Sequence, residues 1–323
     1  MKKIFIKSPD ANNNIDPTIR DRMLNHIPNL TNNIQSADVV LIPISWIHNY
    51  IFDEHLKSIS KPIIIVDYME YGSSWDHESK KATHFFGKNT RDFQNLQNPE
   101  WHKFCDWVRS KNLIGYFKRE LLAEDASATV MPVEFTCYTD LKPVQAPEQF
   151  NTRPLEVFYC WGFSNCSRPR LHGEIFKQMC PRNYGIISEF SHFQGYFNGS
   201  RGKTWATIFS PHYTRVHISK IIEHQTQSKM SVSLWGNGVK CFRSAECIDT
   251  IMVLPYDNLK WTYEWVHGVN CIRVNNGNEF EEIFEATKRE DLYQIYLNSQ
   301  ITLEKYKSSN YAKNYVYETI NKL

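Results

Sequence analysis

Residues 228–246, SKMSVSLWGNGVKCFRSAE, bring together the groups that could hold a diphosphate. A short β-branched run at 230–234 suits a buried strand. Gly236, Asn237 and Gly238 follow, and this trio permits positive φ and a close approach of the backbone to a ligand. Lys240 and Arg243 come next at an expected helix start, where free N–H groups and two cations suit phosphate oxygens. Glu246 lies three residues beyond Arg243, on the same helical face. Its ionised carboxylate can only accept hydrogen bonds, as a pair of ribose hydroxyls requires. A second apolar run, 251–255, leads to Tyr256 and Asp257. The plainer alternative is a surface turn bearing an Arg–Glu pair.

Two further places carry chemistry. After the strand pattern at 155–161 comes the loop GFSNCSRPR, in which Gly162, Ser164, Arg168 and Arg170 could line the same ligand. The competing use of the arginines is as solvated or domain-bridging groups. Asp67 closes the strongest apolar run, KPIIIVD, and Glu70 follows it in the loop, with Asp76 and His77 further on. A carboxylate at a strand's carboxyl end is placed to act as a general base, although turn and cap roles account for many such residues. Lys118-Arg119-Glu120, after LIGYF, could touch a ligand or be a charge pair at a helix start. Trp261 and Trp265 either wall a pocket or belong to the core. None of the 12 histidines is spaced as in H-x-x-x-H or H-E-x-x-H, and the eight cysteines form no C-x-x-C pair, so no metal site is expected.

These residues need elements to hold them. Apolar runs at 3–7, 37–43, 61–67, 113–117 and 129–135, separated by helix-sized segments, predict five parallel strands and one Rossmann-like domain over 1–145. A helix is expected within 19–30. Residues 140–154, DLKPVQAPEQFNTRP, have three prolines and no periodicity, and read as a linker. A second α/β domain follows over 146–300, with strands at 155–161, 230–234, 251–255 and 271–274, short candidates near 186–187 and 207–209, and a helix over 216–227. A helical tail occupies 301–323. The fold class is α/β.

Strand, glycine turn, Arg-x-x-Glu helix and a strand ending near an acid resemble the donor-sugar motif of GT-B glycosyltransferases, in particular the exostosin-like branch. Gly236, Gly238, Arg243, Glu246 and Asp257 carry the match; Cys247-Ile248-Asp249 replaces the usual Ala-Gly. The resemblance implies two Rossmann-like domains facing across a cleft, with terminal helices packing back on the first. It implies a nucleotide-diphosphate sugar, most readily a UDP-sugar, as co-substrate with no other cofactor. Gly236–Gly238 and Arg243 would hold the diphosphate and Glu246 the ribose, while Arg168 and Arg170 would stabilise the leaving group without a metal. Asp257 would meet the transferred sugar. An inverting enzyme would draw its base from Asp67 or Glu70; a retaining one would need neither. A phage-type DNA β-glucosyltransferase looks similar at Asp67, where an acid closes an apolar strand. No D-x-D motif is present, in keeping with metal independence.

The chain of 323 residues is 41% hydrophobic and 22% charged, with a net charge of +2, which suits a soluble protein without a broad nucleic-acid surface. A glycan is therefore a better acceptor than a hydroxymethylated base in DNA. No signal sequence or membrane span is read, and the scattered cysteines suit a reducing, cytoplasmic setting. Two other classes remain. One is a non-catalytic scaffold of GT-B type that binds nucleotide sugar or glycan. The other, a dinucleotide oxidoreductase, is disfavoured because neither loop has G-x-G-x-x-G.

Overall fold

Uninterrupted Val/Ile/Leu runs can be buried on both faces only in a covered parallel sheet, and the computed structural model contains two. It describes residues 1–8, 15, 17–44, 54–68, 99–137, 147–161, 183–187, 222–223, 225–234, 249–275 and 277–323. The chain divides into two units: Met1–Cys137 with Asn258–Thr262 and Lys307–Leu323, and Tyr138–Asp257 with Tyr263–Tyr306.

In the first unit, β1 (Ile4–Ile6), β2 (Val39–Ile44), β3 (Ile63–Asp67), β4 (Leu113–Lys118) and β5 (Val130–Pro132) pair in that order, all parallel. Ile114 is bulged out of the β3–β4 register. The helices that follow β2 and β3, Glu54–Lys57 and Pro99–Arg109, cover one face of the sheet. Leu56, Phe104, Trp107 and Val108 pack there on Val40, Ile42, Ile63, Ile65 and Tyr116. Consecutive crossovers of one hand, stepping one way across a sheet, put their helices on the same side. The opposite face needs another cover, and the terminal segment supplies it. Ser308–Tyr311, a π-helical turn at Ala312–Tyr317, and Glu318–Lys322 run on without a break. Tyr315 meets Phe117 edge-on and donates to Pro132 O. Leu323 lies against Gly115, where an added Cβ would come within 2.5 Å of it. The helical tail thus packs on the first unit.

The second unit has strand order β10-β9-β8-β6-β7, again all parallel: β6 (Leu155–Trp161), β7 (Asn183–Ile187), β8 (Ser228–Val232), β9 (Ile251–Pro255) and β10 (Ile272–Val274). Val157, Met230, Val232, Ile251, Val253 and Ile272 pack against Glu279–Ala286 and Leu292–Glu304 through Phe280, Ile283, Leu292, Ile295 and Tyr296. The helix expected within 19–30 is shorter, Pro17–Arg22 plus a 3-10 turn at Leu24–His26. The expected strand at 207–209 lies outside the described residues.

A buried clamp closes the amino end of this second sheet. Arg153 Nη1 donates to Ser228 O (2.9 Å) and to Asp249 O, and Nη2 lies 3.1 Å from Asp249 Oδ1. Tyr296 donates its hydroxyl to the same Oδ1. The guanidinium rests 5.0 Å from the ring centres of both Phe150 and Tyr296. Burial, then the carboxylate of Asp249, pushes the Tyr296 phenol up. Asp249 has φ 58, a left-handed conformation that Asp tolerates better than most residues.

Candidate active site

The strand order of the second unit reverses at one place. From β6 the chain steps to β7 on one side, then returns to place β8 on the other. Open α/β sheets bind ligands outside the carboxyl ends of the strands at such a switch point. Tyr159 pairs with Val232, so β6 and β8 end side by side. The segments that follow them are 162–170 and 235–248, the two loops singled out in the sequence. Gly162, Ser164, Arg168, Arg170, Gly236, Asn237, Gly238, Lys240, Arg243 and Glu246 lie outside the described residues. What the structure gives is the pair of strands from which their segments start. The sheet of the first unit runs 1-2-3-4-5 with no reversal.

Asp257 follows the next strand, β9. Its Oδ2 accepts from Arg273 Nη1 at 3.1 Å, and its side chain is 3% exposed. Arg273 also donates to Pro255 O (2.8 Å) and reaches Trp265 O (3.4 Å). The guanidinium therefore ties the end of β9 to the segment before β10. Tyr256, half exposed, lies beside the His267 ring at 6.1 Å. Arg273 N donates to His267 Nδ1 (2.9 Å), which satisfies an outer amide of the last strand of the sheet and leaves it unavailable to another chain. Burial pushes the nearby Cys271 thiol up to about 12, with Arg273 opposing. Among the described residues, no group of three or more His, Cys, Asp or Glu is placed to hold a metal ion.

The turn before β10 is built on Gly268 and Asn270. Asn270 accepts from Val266 N (2.8 Å) and donates to Glu264 O (2.9 Å) and Thr302 Oγ1 (3.0 Å). Gly268 has φ 73, and a Cβ there would sit 3.2 Å from Arg289 Nη2. Arg289, 34% exposed, is the far end of a long side chain and can yield, so the backbone conformation carries most of the penalty. Gly268→Ala is expected to cost about 1–2 kcal/mol of stability, read as a lower urea midpoint at unchanged slope.

In the first unit, Asp67 ends β3 as expected, but its side chain is fully buried. Lys118 Nζ is 3.4 Å from Oδ1, and Tyr116 donates its hydroxyl to Oδ2. Tyr116 and Lys118 stand two apart on β4, on one face, with Lys118 directly opposite Asp67. Arg119 Nε donates to Glu120 Oε1 (3.1 Å), both side chains buried, and the guanidinium lies 4.9 Å from the Phe135 ring centre. Lys118-Arg119-Glu120 is thus a set of internal ion pairs, and no α-helix starts there. Glu70 lies outside the described residues. Trp261 and Trp265 are packing residues: Trp265 Nε1 donates to Tyr306 OH (3.3 Å), and Trp261 is 9% exposed.

No protein-family model matches the sequence, and no curated protein matches it. Solved structures are similar in fold. HepE of Anabaena, in complex with UDP and glucose, gives a TM-score of 0.53 over 100% of both chains at 10% identity. The E. coli structure described as trehalose-6-phosphate bound with UDP-2-fluoro glucose gives 0.52 at 8% identity, covering 87% of this chain and 72% of that one. TarM gives 0.50 at 9% identity, covering 88% of this chain and 54% of TarM, so the chain spans about half of TarM's length. The shared feature is the GT-B fold of two Rossmann-like units. Among the described residues no helix is long and apolar enough to cross a membrane.

Proposed function

We propose that this chain is a glycosyltransferase using a nucleotide-diphosphate sugar, with its donor site in the second unit. One observation carries the reading: the two loops richest in phosphate-binding chemistry start from β6 and β8, the strands on either side of the switch point. Gly236, Asn237, Gly238 and Arg243 would hold the diphosphate, with Lys240 beside them, and Glu246 would accept from the ribose hydroxyls. Gly162, Ser164, Arg168 and Arg170 would stabilise the departing diphosphate in place of a metal ion. Asp257, held by Arg273, would lie toward the transferred sugar. Two of the fold neighbours carry UDP or a UDP-sugar in their descriptions, which supports UDP as the nucleotide. The exostosin-like motif, a glycan acceptor, inversion and a cytoplasmic setting complete the reading.

The acceptor's base is Glu70 rather than Asp67 in this proposal. A base must reach the hydroxyl it deprotonates, and the Asp67 carboxylate is enclosed by Tyr116 and Lys118.

The test is thermal unfolding with a panel of nucleotides and nucleotide sugars, in EDTA, on the wild type and Arg243→Ala. UDP at a hundred times its Kd should add about 2.7 kcal/mol and raise Tm by about 5 °C. Arg243→Ala should abolish that shift while keeping its own Tm. Absence of any nucleotide shift would sink the transferase reading in favour of a scaffold.

A further inference from the structure

The chain leaves the second unit one residue after Asp257 and rejoins it at Tyr263; the intervening Asn258–Thr262 belongs to the first unit. This short segment is fastened along its whole length. Ala123 N donates to Asn258 O (2.9 Å), Leu259 bridges Leu122, and Lys260 N donates to Leu121 O (2.7 Å). Leu259 and Trp261 are buried. Thr262 N donates to Glu134 Oε1 (2.8 Å), and Thr262 Oγ1 lies 3.2 Å from Tyr311 OH.

Glu134, itself 2% exposed, holds the last of these ties, at Thr262. Its N donates to Tyr311 OH (2.7 Å) and its O accepts from Tyr68 OH (3.1 Å). Tyr68 directly follows Asp67 and donates its N to Ile44 O (2.8 Å), so it fixes the chain two residues before Glu70 in the sequence. Burial, then the charge of Glu134, holds the Tyr311 phenol well above its usual range. One residue thus joins the strap, the terminal helix and Tyr68 at the end of β3. On the other side, the strap begins beside a carboxylate fixed by Arg273.

We propose that Asn258–Thr262 is a coupling strap, with Glu134 as its positioning residue, through which nucleotide binding beyond β8 and β9 is transmitted to Tyr68. The inference rests on the donor site proposed above. A ligand that fixes Tyr256 and Asp257 restricts the chain entering the strap. The segment is held on the first unit at Asn258, Lys260 and Thr262, so the restriction passes along its backbone to Thr262 and from Thr262 N to Glu134.

Hydrogen exchange on the full chain, with and without UDP, tests this. Calorimetry establishes UDP binding separately. Peptides covering residues 121–123 and 258–262 should exchange about fivefold more slowly with UDP. Glu134→Gln keeps an oxygen for Thr262 N and should preserve the response. Glu134→Leu and Tyr311→Phe should lose it, with UDP affinity within about twofold of wild type. If UDP binds and the strap does not respond, or if Glu134→Leu lowers Tm but keeps the response, the coupling is refuted and Glu134 is structural only. If UDP does not bind at all, the donor-site reading fails and the coupling with it.

Discussion

Replacing Arg153 with Ala should lower the unfolding free energy by about 3–5 kcal/mol, the cost of breaking a buried pair by removing one partner. Asp249 would keep a fully buried carboxylate that lacks its guanidinium, and Ser228 O and Asp249 O would lose a donor. The rings of Phe150 and Tyr296 would also lose the cation lying 5.0 Å from each. Arg153→Lys should recover little, because one ammonium cannot reproduce a planar fork that serves two carbonyls and a carboxylate. Asp249→Asn should be milder than Asp249→Ala, since Asn accepts the left-handed backbone and keeps an oxygen for Tyr296. Urea unfolding, followed by the fluorescence of the aromatic residues, reads the loss as a shift in midpoint. A loss under 1 kcal/mol for Arg153→Ala would show that the clamp is solvated in solution.

The second large effect is expected at Asp67. Asp67→Ala leaves the Lys118 ammonium buried without its carboxylate, and about 3–5 kcal/mol of stability should go with it. Asp67→Leu combined with Lys118→Met replaces both charges by apolar groups of similar bulk and should recover most of the loss. The same pair of variants separates structure from chemistry. A base cannot be replaced by Leu, so a double variant that recovers sugar transfer together with stability assigns Asp67 to the fold. A folded double variant with transfer reduced by about a hundredfold or more would restore Asp67 as the base, against the proposal for Glu70.

The strands were legible wherever the apolar run was unbroken. Residues 155–161 and 251–255 are strands with the bounds the sequence suggests, and 61–67 ends at Asp67 as expected. What stayed hidden depends on partners far along the chain. Arg153 sits in a Pro-rich stretch that reads as linker, and only the arrival of Ser228 and Asp249 turns it into a clamp. Asp249 looked like a departure from a helix-end motif; its role lies in its positive φ and in Arg153 and Tyr296. The segment NLKWT, at 258–262, includes Trp261, which reads as well for a pocket wall as for core. Nothing local shows that its amides pair with Leu121, Ala123 and Glu134. The acidic strand end at Asp67 was visible; its closure by Tyr116 and Lys118 depends on the β3–β4 register. For the segments proposed to hold the donor, the residue types can be read from the sequence, and the topology gives the neighbouring strands, β6 and β8, from which they start.

The first unit is not complete until Lys307–Leu323 has joined it. Gly115 and Phe117 face Leu323 and Tyr315, and Lys2 N donates to Asn321 Oδ1 (2.8 Å). On the ribosome, the first 137 residues must therefore wait for Lys307–Leu323 before that face of the sheet is covered. At ordinary rates of synthesis the delay is roughly 10–40 s, much longer than local strand pairing takes. The nascent sheet carries an apolar surface through this interval, so its escape from aggregation is a matter of timing as well as of final stability.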